Sequence, residues 1–359
     1  MHPLQSFYRG KRVLITGHTG FKGSWLTQVL LNWGADVAGV ALAPDTRPNL
    51  FTLLGQSKRM RSHLCDIRDF PALRKIIQKE RPEIIFHLAA QALVRRGYES
   101  PLETYETNVI GTANVLHAAH DVGSAKSIVV ITTDKVYENL ETGRAFKETD
   151  PLGGHDPYSA SKAAADIVAA SYIKSFFTDR RTHAAIARAG NVVGGGDWSR
   201  DRIMHDIVRA VFESRRPVVV RFPESVRPWQ FVLEPLWGYL VLGQELYRKN
   251  RAAVGPWNFG PRAGSFVSVR KLLSIMFRNF GRGSFRVQRE KVRHEAGVLK
   301  LSIAKATAGL PWKPIYPLQK TLAVTAEWYQ TYYLSRREIA ELTNRQIDDF
   351  FRLAARRQT

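Results

Sequence analysis

Tyr158 and Lys162 stand four residues apart, and the run Thr133-Asp134-Lys135 precedes them at the end of an apolar, strand-like stretch. On a helix, positions i and i+4 share one face, so an ammonium at 162 can stabilise a phenolate at 158 and make a base near neutral pH from a group that ordinarily ionises near ~10. That is the chemistry for oxidising an alcohol. An acid and an amine beside Thr133 exceed what hydride transfer needs, and they imply a second step on the oxidised alcohol or sugar.

The rhythm of the chain places these groups. Apolar strand-like runs at Arg12–Thr16, Asp36–Leu42, Arg61–Cys65, Glu83–Leu88, Ser127–Thr133 and His183–Arg188 alternate with helical patterns at Ser24–Trp33, Phe70–Glu80, Leu102–Val122 and Tyr158–Phe177. This alternation predicts an α/β, doubly wound parallel sheet of Rossmann type with helices on both faces, which brings every loop that follows a strand to one edge. After about residue 190 the texture changes to glycines, scattered prolines and shorter strand-like pieces, with helical patterns at Arg202–Ser214, Pro235–Arg248, Val269–Phe280 and Leu318–Ser335. Residues 1–190 therefore read as the dinucleotide-binding part, to which some later segments return. Residues 191–359 read as a smaller mixed α/β region that closes over the strand edge and ends in helices; Arg336–Thr359 is either a last helix or a frayed basic tail.

Composition bounds the rest. With 359 residues, 44% hydrophobic and 24% charged, the chain can bury one large core and a smaller appendage. No apolar run approaches the roughly 20 residues of a membrane helix, and the first residues lack a signal-peptide pattern, so the expectation is a cytoplasmic protein without a membrane partner. The lone Cys65 excludes an internal disulfide and reads as a buried thiol; the ten histidines form no close metal-ligand set, so no metal is expected, and His87 reads as a satisfied core residue. The formal charge of +21 attracts anions. Its carriers do not form one block. They are spread through Arg270, Lys271, Arg278, Arg282, Arg286, Arg289, Lys291 and Arg293, and again through Arg336, Arg337, Arg345, Arg352, Arg356 and Arg357, which suits a solvated basic surface rather than a nucleic-acid site.

Gly17-His18-Thr19-Gly20-Phe21-Lys22-Gly23 follows the first strand and opens the first long helical pattern. Glycines there permit a tight turn, close approach of the backbone to a pyrophosphate and close helix packing, with the helix N-terminus facing the anion. The first two glycines are separated by two residues, unlike the G-x-G-x-x-G of ordinary dinucleotide folds.

That spacing, together with Tyr-x-x-x-Lys, resembles the extended short-chain dehydrogenase/reductase superfamily. Within it, His87-Leu88-Ala89-Ala90-Gln91, Thr133-Asp134-Lys135-Val136-Tyr137-Glu138-Asn139, Asp156-Pro157-Tyr158-Ser159, Arg227-Pro228-Trp229-Gln230, Leu310-Pro311-Trp312-Lys313-Pro314 and Ala326-Glu327-Trp328-Tyr329 resemble the CDP-glucose 4,6-dehydratase family almost end to end. The resemblance implies a cycle on CDP-glucose: oxidation at C4, loss of water across C5 and C6, and return of the hydride to C6. Tyr158 and Lys162 would serve the first step with Thr133 on O4, and Asp134 would protonate the leaving hydroxyl. That last role needs a raised pKa, with burial pushing up and Lys135 pulling down. Where the wider sugar-nucleotide dehydratases carry a glutamate as the C5 base, this chain has Lys135, as the CDP-glucose branch does; it is either that base or an ion-pair partner of Asp134.

The same resemblance implies NAD, held by Gly17, Thr19, Gly20, Phe21, Lys22, Gly23, Asp66, Ile67, Leu88, Ala89, Ala90, Asn108 and Thr132 together with Tyr158 and Lys162, where Asn108 either steadies the site through backbone and water contacts or is an ordinary helix-buried amide, and a sugar nucleotide held by Gln91, Asn191, Arg202, Arg227 and Asn258. NADP stays open, because the second strand ends in Ala41-Leu42-Ala43-Pro44 with Asp45 late for a ribose-binding acid and Arg47 able to face a 2′-phosphate. A homodimer through helices at Leu102–Val122 and Tyr158–Phe177 is also implied. The other readings are another sugar-nucleotide dehydratase or a 4-epimerase of the same superfamily, and a basic dehydrogenase-like protein that binds nucleotides or RNA; the epimerase has no need of Asp134 and Lys135, and the binding protein has no need of an intact catalytic set.

Overall fold

The computed structural model describes residues 2–178, 181–288 and 299–356; Arg289, Lys291, Arg293 and Arg357 lie outside the described residues. Seven parallel strands form the central sheet: β1 (Arg12–Thr16), β2 (Asp36–Ala41), β3 (Arg61–Leu64), β4 (Ile84–His87), β5 (Ser127–Ile131), β6 (His183–Ala189) and β7 (Gly255–Phe259). Their order, β7-β6-β5-β4-β1-β2-β3, reverses direction between β4 and β1. A crevice opens at such a reversal, outside the carboxyl ends of the strands.

Alternate residues of each strand supply opposite faces. Val13, Ile15, Phe86, Val129 and Ile131 enter one apolar cluster, whereas Leu14, Ile85, Ile128 and Val130 enter the other. Helices α1 (Phe21–Asn32), α2 (Phe70–Glu80), α3 (Gly111–Val122), α4 (Pro157–Ser175), α5 (Ile203–Val208), α6 (Leu233–Tyr247), α7 (Val269–Phe280), α8 (Leu318–Leu334) and α9 (Ile339–Arg356) complete the layers. Beyond β6, three short strand pairs build the smaller region: Val192–Val193 with Gln230–Phe231, Val226–Pro228 with Phe266–Ser268, and Val218–Val220 with Phe285–Val287.

Two differences from the sequence reading stand out. The helix expected over Leu102–Val122 is broken into Pro101–Tyr105, a wide π turn at Glu106–Ile110 and α3. The widening sits where Gly111 packs on Ile67, whose Cδ1 would lie 2.5 Å from an added Cβ, and π turns recur where a side chain must be re-aimed. The strand β7 was not anticipated, because Pro256 and the flanking glycines mask it; as an edge strand paired only with β6 it tolerates the proline. Of the two readings of the last segment, the described residues give a helix over Ile339–Arg356, with Ile339, Leu342, Ile347, Phe350 and Phe351 turned inward. The described basic residues of the two runs are exposed, several in ion pairs such as Arg270–Glu224 and Arg345–Glu327. Cys65 is half-buried rather than buried, because it follows an edge strand and borders the crevice.

Candidate active site

The crevice holds about 990 Å³ and runs from the glycine loop to Arg227. Its near end is shaped by backbone. Gly17 adopts φ +75°, and a Cβ there would lie 2.8 Å from Ala89 N; at Gly23 the Gly17 carbonyl leaves no room for one. Gly17 N donates to Val40 O (2.8 Å), Gly20 N to Gly17 O (3.1 Å) and Thr19 Oγ1 to Leu42 O (2.9 Å). The N-terminus of α1 thereby faces the crevice, as anion binding requires. Under the loop, His18 Nε2 meets Ser62 Oγ at 2.7 Å, and burial lowers the ring to about 4, so it is neutral. Phe21, Lys22, Asp66, Ile67, Leu88, Ala89 and Ala90 also border the crevice, with Asp66 held by Arg68 Nε (3.0 Å) and Nη2 (2.7 Å).

The loop after β4 is tied down by a string of hydrogen bonds. Ala89 N donates to Thr16 Oγ1 (3.1 Å), Thr16 Oγ1 lies 2.7 Å from His87 Nδ1, His87 Nε2 lies 2.9 Å from Thr112 Oγ1, and Thr112 Oγ1 donates to Asn108 O (2.6 Å). Because Thr112 spends its proton on Asn108, His87 must donate through Nε2 and accept at Nδ1. Burial lowers His87 to about 3, which fixes the neutral ring and agrees with its reading as a core residue.

Asn108 is placed as a steadying residue. It is buried in the π turn and does not border the crevice. Its amide accepts from Gln91 N (2.8 Å) and donates to Gln91 O (3.0 Å) and Ser161 Oγ (2.9 Å). It is a clamp between the β4 loop and α4, not a cofactor ligand. Gln91 borders the crevice, but its amide is committed to Leu93 O (3.0 Å), Thr104 Oγ1 (3.0 Å) and Leu93 N (2.6 Å).

The chemical groups meet where β5 ends beside α4. Asp156 caps α4 by accepting from Ser159 N (3.0 Å), with Pro157 in the first turn. Tyr158 and Lys162 share a face as the spacing predicts. The Lys162 ammonium is anchored on Ile131 O (2.9 Å), and burial lowers it to about 8 against the opposing charge of Asp166. Burial raises the Tyr158 phenol, while Arg202 and its hydrogen bond with Thr133 pull it down. Thr132 borders the crevice and spends its hydroxyl on Asp166 Oδ2 (3.1 Å).

Asp134 is 3% exposed, accepts from Thr133 Oγ1 at 3.0 Å through Oδ1, and has no hydrogen-bond partner at Oδ2. Burial raises its pKa and outweighs the charges of Lys135, Arg227 and Lys22 and the Thr133 hydrogen bond. The contest between burial and Lys135 is thus decided for burial. Lys135 is half-buried at the same turn. Among the described residues it forms no ion pair within 4.0 Å with Asp134.

At the far end, Asn191, Arg202 and Arg227 border the crevice; Arg202 Nη2 donates to Ala92 O (3.2 Å), and Arg227 is 5% exposed. Asn258 does not belong there. It lies fully buried on β7, accepting from Tyr137 Oη (2.7 Å) and donating to Phe146 O (3.0 Å), and its amide is used up inside the fold. Arg221, Phe222 and Asp197, which also border the crevice, were missed. Asp197 carried a signal in its place after Gly194-Gly195-Gly196, whereas Arg221 and Phe222 follow a three-residue strand with no pattern of its own. Asp45 borders the crevice and Arg47 does not.

Residues 14–325 match the family model described as GDP-mannose 4,6 dehydratase. A CDP-glucose 4,6-dehydratase of Salmonella typhimurium is 44% identical over 358 residues, covering 98% of this chain and 99% of that protein. The chain belongs to the GDP-mannose 4,6 dehydratase family. Among solved structures, a dTDP-glucose 4,6-dehydratase double mutant from Streptomyces venezuelae with NAD bound superposes with a TM-score of 0.76 at 26% identity, covering 89% of this chain and 96% of that one. A UDP-glucose 4-epimerase of Thermus thermophilus in complex with NAD gives 0.77 at 25% identity, covering 89% and 98%. The parallel Rossmann sheet expected from the strand and helix rhythm is the fold of this dehydratase family. After β5 this dehydratase places a buried carboxylic acid, Asp134, at the crevice.

Proposed function

We propose that the chain converts CDP-glucose to CDP-4-keto-6-deoxyglucose in the cytoplasm, with NAD recycled in place. The observation that carries this reading is Asp134, a buried acid with a free oxygen, facing the same crevice as Tyr158. A 4-epimerase needs only the tyrosine and lysine. Tyr158 takes the O4 proton while Thr133 bonds the same oxygen, and Lys162 supports the phenolate from the helix face. Asp134 gives its proton to the 6-hydroxyl as water leaves, and Lys135 is the group we assign to the C5 proton.

The residues at the near end fit NAD. The tight glycine loop presents backbone to a pyrophosphate, and an acid, Asp45, rather than Arg47, borders the crevice after β2. The chemistry NAD would supply when bound is a reversible hydride acceptor beside C4 and C6 of the sugar. Gly17, Gly20 and Gly23 would hold its phosphates, and Asp66, Ile67, Leu88, Ala89 and Ala90 its adenosine. Asn191, Arg202 and Arg227 would hold the diphosphate of the substrate.

Incubation of the purified protein with CDP-glucose and catalytic NAD should give the alkaline ultraviolet absorbance of a 4-keto-6-deoxy sugar. CDP-galactose formed without that absorbance would assign the epimerase reading instead. Leu102, Tyr105, Ile110 and Ile167 are exposed apolar side chains on the helices at 101–122 and on α4, and Phe176 is another just past the end of α4, which supports a homodimer through those helices. A purely monomeric sedimentation profile at micromolar concentration would contradict it. Among the described residues no helix is long and apolar enough to cross a membrane.

A further inference from the structure

Behind Tyr158 and Lys162 lies a buried ion pair that none of these steps uses. Asp166 falls one turn beyond Lys162, so Tyr158, Lys162 and Asp166 follow at i, i+4 and i+8 along α4. Arg188 on β6 grips it with two parallel hydrogen bonds, Nε to Oδ2 at 2.8 Å and Nη2 to Oδ1 at 2.7 Å. Their side chains are 3% and 1% exposed. Burying two charges this far from water offers little net stability over apolar side chains of similar volume.

The remaining hydrogen bonds of the pair point to a different use. Asp166 Oδ2 accepts from Thr132 Oγ1 (3.1 Å), the residue that leads from β5 into Thr133 and Asp134. Arg188 Nη1 donates to Tyr137 Oη (2.9 Å), just beyond the same turn, and to Glu148 O (3.1 Å). Tyr137 Oη in turn donates to Asn258 Oδ1 (2.7 Å). Both ends of the turn that carries Thr133, Asp134 and Lys135 therefore hang from one ion pair planted on the helix that carries Tyr158 and Lys162.

We propose that Asp166 and Arg188 are positioning residues that lock the Thr132–Tyr137 turn to the Tyr158–Lys162 helix, so that the oxidation base and the elimination acid address one sugar from a single frame. The proposal rests on the dehydratase reading. It assigns Asn258, which was expected at the substrate, to the outer end of this frame.

Thr132→Val severs one link and leaves the ion pair intact. In the protein without ligands, hydrogen–deuterium exchange of peptides spanning 132–137 should quicken. With saturating NAD and CDP-glucose, kcat should fall about 10- to 100-fold with KM unchanged, and enzyme-bound NADH should accumulate as elimination lags behind oxidation. Thr132→Ser should restore all three. A weakened NAD affinity with unaltered exchange would place the hydroxyl on the cofactor and overturn the proposal. A double variant, Asp166→Asn with Arg188→Gln, removes the charges together; a wild-type Tm with depressed kcat supports positioning, and a wild-type Tm with full kcat overturns it. If that variant does not fold, Thr132→Val and Thr132→Ser alone decide. A wild-type enzyme silent on CDP-glucose would sink the dehydratase reading and this proposal with it, whereas active wild type with an indistinguishable Thr132→Val would overturn positioning alone.

Discussion

The two ends of the crevice are built by different means. At the glycine loop the surface is backbone, fixed by residues adjacent in sequence: Gly17 in a left-handed conformation, Gly23 without room for a Cβ, and Thr19 bonded to the end of β2. At the far end Asn191, Arg202, Arg221 and Arg227 arrive from separate segments, Arg227 within a three-residue strand and the others in the chain that borders a short element. Backbone sites are specified locally and tolerate no added atoms. Side-chain sites are specified by packing among distant parts, and they admit substitution at a graded cost.

Between the ends lie the reacting groups, where the largest effects should fall. Tyr158→Phe removes the base for the first step. Oxidation should drop by roughly 10²–10⁴-fold, read as loss of both product and the NADH signal on mixing; undiminished turnover would move the base elsewhere. Asp134→Asn keeps the shape and removes the transferable proton. Oxidation should survive while elimination slows by roughly 10²–10⁴-fold, so bound NADH accumulates. Burial raises the Asp134 pKa, so the acid stays protonated to higher pH than an ordinary carboxyl, and elimination should decline as pH rises through that raised value. Loss of both steps in Asp134→Asn would make the residue structural.

The contrast between the ends can be tested directly. Gly17→Ala places a methyl 2.8 Å from Ala89 N at a φ of +75°, a conformation that costs a side chain about 1–2 kcal/mol before the clash is counted. NAD affinity should fall at least about 10-fold, with little change in CDP-glucose affinity at saturating NAD. Arg227→Met should do the reverse: KM for CDP-glucose rises about 10- to 100-fold, as for one charge-assisted hydrogen bond, and NAD titrates normally. Equal effects of both variants on both ligands would erase the distinction.

This difference also explains what the sequence could and could not disclose. Strand and helix rhythm gave six of the seven sheet strands, five as compact apolar runs and the polar edge strand β3 by its place in the alternation; β7 escaped because, among the described residues, its identity as a strand comes from pairing with β6. The glycine loop and the Tyr158/Lys162 pair were legible because spacing along one element decides their geometry. Asn258 was misplaced, and Asn108 was left between a steadying role and an ordinary buried amide, for the opposite reason. Each is an amide whose partners, Gln91 and Ser161 for one and Tyr137 and Phe146 for the other, lie far away in sequence, and only the folded chain shows that nothing is left over for a ligand. Asp166 stands between these cases: its spacing from Lys162 is visible in the sequence, but its partner Arg188 is not.

The smallest expected effect lies in the later half, away from the crevice. Glu234 in α6 is 1% exposed, and its carboxylate accepts from Ile315 N at 2.9 Å and Tyr316 N at 2.6 Å. Burial nevertheless raises it from 4.5 to about 8, overcoming those two amides and Arg262. Its folded pKa lies above its unfolded one, so its protonation favours the fold fully below pH 4.5 and this contribution is lost as pH rises to about 8. The total is on the order of a few kcal/mol, set against every other titrating group in the same window. Glu234→Gln keeps an oxygen for Ile315 and Tyr316 and removes the charge, so its Tm should fall less steeply than wild type between pH 5 and 9, with kcat at pH 7 unchanged. Parallel Tm profiles would mean that water reaches Glu234 and holds it ionised. A fall in kcat would mean that the Pro311–Pro317 stretch, which Glu234 fastens to α6, steers the substrate end after all, and the separation between a locally specified cofactor end and a remotely packed substrate end would then extend further into the core than the crevice itself.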